Sequence, residues 1–459
     1  MAALVPRLAP SVRRMAASVR WPAASVPWLA ASVPRLAASV PWMAASVPWL
    51  AASVPWMAAS VPWLAASVPW LAASVLGALG EAAYHRVMTD PPALEGTVLR
   101  LAERLIQLLD EGSFAATYKY AVIVGLLDLC LELTSATGVP PDTITTRQLA
   151  EKVIELYWPH CAPYGEYILR QSSSGAQAEV VKRIQAFRAR VPLDAAGAAS
   201  LPRACALLGS EAHEDLARFV EWKLVEMPLP KLQVVGSVED RFLYEYGFPR
   251  KMDNSRPLQR YWEGEPGTFD NRLLLKPGVG AAFVALNGLL RPLVYRQWAR
   301  MVARVNKLEE STLEGFLFGI DRQSLDPVRP ALRELQGGRC FYCEERLSRA
   351  HHVDHFIPWS RHPDDGIHNL VVADERCNLK KRAYFAAAGH VEHWRERSRR
   401  HAADLATIAR DKNWGTAPDR TLGVARAIYR ALPEDARLWQ EGDDLVVIER
   451  LRIVAALAA

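Results

Sequence analysis

The sequence predicts an α+β chain, mainly helical, with a disordered low-complexity repeat at its N terminus and a small strand–strand–helix metal module toward its C terminus. Three observations carry this. Residues 1–75 repeat every seven residues with a proline in each unit. From about residue 94 apolar side chains recur at helical spacing. Between residues 340 and 381 cysteine, aspartate, histidine and asparagine gather around two short strand-like runs. Four segments are expected: a repeat over 1–87, a mainly helical substrate-recognition domain over 88–325, a metal module over 326–400 and a helical and hairpin extension over 401–459.

The repeat unit is Ala-Ala-Ser-Val-Pro-Trp-Leu/Met, with prolines at Pro27, Pro34, Pro41, Pro48, Pro55, Pro62 and Pro69. A seven-residue period suits a coiled coil, but proline in each unit breaks the helix. No proline-free apolar run approaches a membrane span, so no membrane association is expected. Arg13-Arg14 and the acid-poor composition look superficially like a targeting signal, yet the apolar or amphipathic helix such a signal needs is missing. The repeat reads as an in-frame tandem expansion, with Met88 as a candidate start, and no function is assigned to it. The net charge of +5 resides there too: residues 1–87 hold six arginines against Glu81, and the rest of the chain is neutral. Global charge therefore gives no argument for nucleic acid. Six cysteines are too few for a disulfide scaffold and suit a reducing, cytoplasmic setting.

The next region reads as successive helices. Leu99, Leu101, Leu105, Leu108 and Leu109 mark one, closed by Gly112-Ser113. Residues 115–133 read as a buried helix and 145–157 as an amphipathic one capped by threonine. The start of the latter faintly resembles a helix-turn-helix, although a packing helix accounts for it better. Further helices fit 176–190, 212–225 and 289–307, with strand-like pieces at 241–244 and 272–275. In the helix over 289–307, Arg296, Arg300 and Arg304 fall four apart on one face and could track a nucleic-acid backbone. Snorkelling arginines on an ordinary amphipathic helix account for them equally well.

In the module, Asp354 immediately precedes His355, and Pro358 marks the end of that strand because proline cannot donate to a ladder. Pro363, Asp364, Asp365 and Gly366 form a turn before a second strand at 369–372. Asp374 is a candidate N-cap for a helix starting near Glu375, and Asn378 follows His355 by 23 residues. A histidine of near-neutral pKa suits a general base. An Asp carboxylate and an Asn carbonyl are hard donors that favour Mg²⁺ or Mn²⁺. Together these are parts for metal-assisted phosphodiester cleavage. Residues 376–400 carry eight basic against two acidic side chains, as phosphate contact requires; a solvated charged face is the alternative.

This arrangement resembles the HNH endonuclease family, closely over 336–385 and loosely from about Pro92 to the C terminus, where bacterial HNH endonuclease-domain proteins combine a helical region with a late Cys-Phe-Tyr-Cys module. The resemblance implies a ββα fold around one divalent metal. Asp354 and Asn378 would be metal ligands, His355 the general base and Asn369 the residue that ties the hairpin loop. Lys381 would match the family's lysine and meet a phosphate, while Lys380 and Arg382 are phosphate candidates from the basic stretch alone. Many such modules also close a zinc site with two Cys-x-x-Cys knuckles. Here Cys340, Cys343 and Cys377 are present, but Asp374 stands where the fourth cysteine would be. Asp374, His351, His352 or His368 could complete a tetrahedral Zn²⁺ site; otherwise the cysteines pack as buried thiols.

The reading is a metal-dependent DNA endonuclease, in restriction or phage defence by resemblance. Its rivals are a mobile-element or repair nuclease, a catalytically silent nucleic-acid-binding protein, and a zinc-dependent structural module. One such centre cuts one strand, so a double-strand break would need a homodimer or two successive events.

Overall fold

The computed structural model describes residues 91–112, 114–191, 200–235, 238–320 and 324–458. The repeat and disorder expected of 1–87 lie outside these residues. Among them no helix is long and apolar enough to cross a membrane. The chain is mainly helical, with small antiparallel sheets.

Helix α1 (Pro91–Glu111) opens on prolines, whose missing N–H costs nothing in a first turn. It buries Leu101, Leu105, Leu108 and Leu109, while Leu99 lies on its exposed side. Helix α2 (Tyr118–Glu132) is buried almost throughout, as its apolar composition requires. Strand β1 (Thr143–Thr145) leads into α3 (Thr146–His160). Thr145 and Gln148 form a reciprocal capping box there, with N···O distances of 3.1 and 2.9 Å. Helix α3 packs against α2 and a later helix, so it is a packing helix.

The chain continues through α4 (Glu179–Arg188), α5 (Leu201–Leu208), α6 (Ser210–Glu226), α7 (Pro228–Leu232), the short pair β2 (Val234–Val235) and β3 (Val238–Glu239), β4 (Tyr244–Tyr246) and α8 (Arg256–Trp262). The strand expected at 241–244 begins only at Tyr244 and runs to Tyr246, and the Gln233 side-chain oxygen accepts from the N–H groups of Leu243 and Tyr244 where it enters. Strand β5 (Arg272–Leu275) lies between β1 and β4, pairing Ile144 with Leu273 and Tyr246 with Leu273. Helix α9 (Val279–Asn306) starts ten residues before the expected Leu289, because the apolar stretch preceding it is buried as well. Helix α10 (Glu310–Gly315) and a π turn (Phe316–Ile320) follow.

Helix α11 (Arg329–Leu335) precedes a hairpin of β6 (His351–His355) and β7 (Leu370–Asp374), joined through a loop and a single 3₁₀ turn (Ile367–Asn369). Helix α12 (Glu375–Lys381) follows directly. Two helices, α13 (Ala388–Arg400) and α14 (Ala402–Asp411), come next. Helix α15 (Pro418–Ala431), within the extension expected to be helical, lies so close to α2 that a Cβ at Gly423 would strike the Glu132 carbonyl. The terminal hairpin is β8 (Arg437–Glu441) and β9 (Asp444–Val447), and α16 (Arg450–Ala458) follows it.

Helix α2 is the centre of the helical body, packed by α3, α9 and α15. Strand β7 of the module hairpin is buried on both faces. Val371 and Ala373 of β7 join the main core, whereas Leu370 and Val372 join a second core with Val328, Leu332, Leu405 and Trp414. That alternation is the period-two pattern of a strand. The main core spans Val98 to Leu457, so the borders expected at 325/326 and 400/401 fall inside shared packing.

Candidate functional site

The hairpin register sets Asp354 opposite Val371 and His355 opposite Leu370 at the end of β6. Beyond it Phe356 N–H donates to the Asn369 carbonyl at 2.8 Å. Asn369 is fully buried: its Oδ1 accepts from Ile357 N at 2.8 Å, and its Nδ2 donates to the Asp364 carbonyl at 2.9 Å and the Ile357 carbonyl at 3.3 Å. One side chain thus ties both ends of the loop between the strands.

Asp354 Oδ2 accepts from the Tyr342 hydroxyl at 2.6 Å and lies 3.0 Å from Lys381 Nζ. Its Oδ1 has no hydrogen-bond partner among the described residues. Lys381 also donates to the His355 carbonyl at 3.0 Å, which clasps α12 onto the end of β6. The ammonium is fully buried, so Lys381 does not present itself to a phosphate as expected; the Asp354 charge draws it inward. Asn378 stands in α12 one turn before Lys381, half-buried.

His355 is buried, with its ring edge-on to Trp359 at 5.2 Å between centroids. Its Nε2 lies 2.7 Å from Asp365 Oδ1, and its Nδ1 has no hydrogen-bond partner among the described residues. Asp365, read from the sequence as a turn-former, is the residue that reading missed here. Its only sequence signal is that it lies in the same loop, ten residues after His355.

That loop is anchored in the helical body. The His362 ring is fully buried between Asp128 (3.5 Å) and Glu132 (3.3 Å) of α2. Asp128 also meets Arg291 of α9 at 2.5 Å, and Glu132 meets Lys152 of α3 at 2.7 Å and Arg420 of α15 at 3.2 Å. Asp364 accepts from the Thr421 hydroxyl at 2.8 Å, and Trp414 Nε1 donates to the Asp365 carbonyl at 2.6 Å. Burial opposes charge on His362, but the Asp128 and Glu132 carboxylates on either side outweigh it and raise its pKa above 6.5. Burial would likewise raise the Asp128 pKa, yet Arg291 and His362 hold it well below the usual carboxylate range.

A second cluster forms at the base of the hairpin. The Sγ atoms of Cys340, Cys343 and Cys377 lie within 4.8 Å of one another. A hydrogen bond from Cys377 lowers the Cys340 thiol to about 5 against the effect of burial, helped by backbone N–H groups of Cys343, Asp374 and Tyr342. A thiolate cradled by three N–H groups beside two more thiols suits a soft or borderline cation such as Zn²⁺. Asp374 is engaged outside this cluster: its Oδ1 caps α12 at Arg376 N, 3.1 Å, and its Oδ2 accepts from Ser348 N, 3.3 Å. The alternatives are also engaged elsewhere. His351 bonds the Ser348 carbonyl, His352 faces Glu375, and His368 is buried near Arg397, where desolvation lowers its pKa to about 4.

On the surface of α12, Lys380 pairs with both carboxylate oxygens of Asp443 in the β8–β9 turn, at 2.7 and 2.8 Å, and Arg382 is exposed. On α9, Arg296 and Arg300 lie 4.0 and 3.2 Å from Glu314 and Glu310 of α10, while Arg304 is exposed. The expected arginine stripe exists, but part of its charge is met by acids, in exposed pairs that stabilise little.

Residues 340–387, from the cysteine turn through the hairpin and α12, match the family model described as HNH endonuclease. No curated protein and no solved structure matches the chain significantly.

Proposed function

We propose that this chain, which carries an HNH endonuclease domain at residues 340–387, is a metal-dependent endonuclease that hydrolyses phosphodiester bonds of DNA. The family match implies a nuclease and a nucleic-acid substrate in general terms. The observation that carries the finer reading is the pairing of Asp354 and His355 at one strand end with α12 clasped beside them by Lys381.

Asp354 Oδ1 and the Asn378 side-chain oxygen are the donors that would hold Mg²⁺ or Mn²⁺. They are hard oxygens, and Mg²⁺ needs few protein ligands because it keeps waters and substrate phosphates. When bound, the cation would polarise the scissile phosphate and stabilise the leaving oxygen. His355 takes the proton of the attacking water as its oxygen bonds to phosphorus and the bond from phosphorus to the 3′ oxygen breaks; solvent reprotonates that oxygen. Asn369 holds the loop that fixes the position of His355. Lys380, Arg382 and, on α9, Arg304 with Arg296 and Arg300 are the proposed phosphate contacts. The cysteine cluster would hold a structural Zn²⁺. Restriction or phage defence in the cytoplasm is the proposed setting, with a homodimer or two successive nicks giving a double-strand break.

The test is plasmid cleavage by the purified chain in Mg²⁺ and in EDTA, beside His355→Ala. We expect metal-dependent nicking or linearisation that falls at least about 10²-fold in the variant, with DNA binding retained. Cleavage that survives EDTA or His355→Ala refutes the mechanism. A folded chain that binds DNA and never cuts it favours a silent binder.

A further inference from the structure

We infer that Asp365 is the positioning residue of this centre: its carboxylate fixes the His355 ring so that Nδ1, not Nε2, takes the proton. The inference rests on the reading of His355 as general base and deepens it.

Three observations carry it. The Asp365 carboxylate lies 2.7 Å from His355 Nε2, and among the described residues it has no other side-chain partner. A carboxylate accepts only, so the neutral ring must carry its proton on Nε2, which leaves the Nδ1 lone pair free. Nδ1 is also the ring nitrogen without a partner.

The carboxylate itself is held still. Trp414 Nε1 fixes its own carbonyl at 2.6 Å. Asp364, its neighbour, is locked by Thr421 and by Gly366 N–H, each at 2.8 Å. Upstream, Asn287 Nδ2 donates to the Arg361 carbonyl at 2.9 Å. A surface turn that needed only a helix cap or a solubilising charge would not require these anchors. Ordering of this kind is what a base-orienting group needs, because small misplacement of a reacting group lowers rate steeply. Once the proton reaches Nδ1, the imidazolium is stabilised by the carboxylate against Nε2.

The test compares Asp365→Ala, Asp365→Asn and Asp365→Glu with wild type in plasmid cleavage. It is joined by ¹⁵N spectra of histidine-labelled full chain at about pH 8.5, where an ordinary imidazole is neutral, with His355→Ala to assign the resonance. We expect kcat to fall about 10²-fold in the Ala and Asn variants, KM to stay within about twofold, and Glu to recover part of the loss. Wild-type His355 should show the Nε2–H tautomer and Asp365→Ala a mixture. A kcat within about threefold of wild type in both Ala and Asn variants, while His355→Ala is inactive, overturns the inference and leaves the nuclease reading intact. An Nδ1–H tautomer in wild type overturns it too. If wild type cuts nothing, the nuclease reading fails, and the tautomer alone decides whether Asp365 orients the ring.

Discussion

His362→Gln should destabilise the protein most at mildly acidic pH, and the loss should shrink as pH rises. The ring is fully buried between Asp128 and Glu132 of α2. Around it stand Lys152 and Glu155 of α3, Arg291 of α9, Arg420 of α15 and, on its own loop, Asp364. Asp128, Glu132, Glu155 and Asp364 are four anions; Arg291, Lys152 and Arg420 are three cations, so the cluster is neutral only when His362 is protonated. Its folded pKa lies above 6.5. The stabilisation it supplies is therefore complete below about pH 6.5, the unfolded value, and is lost as pH rises through the higher folded value. Removing one partner of a buried pair costs about 3–5 kcal/mol. Both carboxylates keep a second cation, which puts the loss at the low end, about 3 kcal/mol, or a fall in Tm of roughly 6 °C at about 2 °C per kcal/mol. Urea or thermal melts of wild type and variant from pH 5.5 to 9 measure it. A gap that is constant with pH, or that widens as pH rises, refutes the protonated clamp.

Two further outcomes follow from the site. Lys381→Met should cost about 3 kcal/mol of stability, because it leaves the Asp354 carboxylate with only the Tyr342 hydroxyl; at equal salt, DNA affinity should change less than in Lys380→Ala with Arg382→Ala. A filter-binding series in which Lys381→Met is the weakest binder while its melt is unchanged would contradict the burial of that ammonium. The chelated chain should take up one Zn²⁺ per chain and gain about 4 kcal/mol at a thousandfold excess over Kd, and Cys343→Ser should lose both; metal analysis showing no zinc in wild type refutes the site. Since Cys340 is already lowered to about 5 while the thiols of Cys343 and Cys377 are raised, uptake at pH 7 should release protons from the latter two.

What could be read in advance was local. The strands, the turn and the helix cap at Asp374 lie within about thirty residues of one another, and their chemistry is carried by neighbours in sequence. Helices α1 to α3 were legible because α1 keeps an apolar period, α2 is one long apolar run, and Thr145 with Gln148 spells the cap of α3. The misreadings came where two uses compete for one side chain. Asp374 suited both a cap and a zinc ligand, and the cap holds it. Lys381 suited a phosphate, but Asp354 and the His355 carbonyl lie closer. Asp365 was hidden behind its value as a turn residue. The clamp on His362 could not be seen, because its partners Asp128 and Glu132 lie in a helix more than 200 residues earlier in the chain, and no local pattern marks a pairing at that range.

The hairpin has packed side chains on both faces of β7, and its loop is wedged into α2, α9 and α15. It is built as a rib of the body rather than as a limb hung from it. A limb can reach for bonds at several offsets from wherever its owner grips; a rib cannot. If the helices read the duplex, the distance from grip to cut is set by the skeleton, as between the jaws of a fixed gauge, and the duplex must bend to the protein instead of the blade swinging to the duplex.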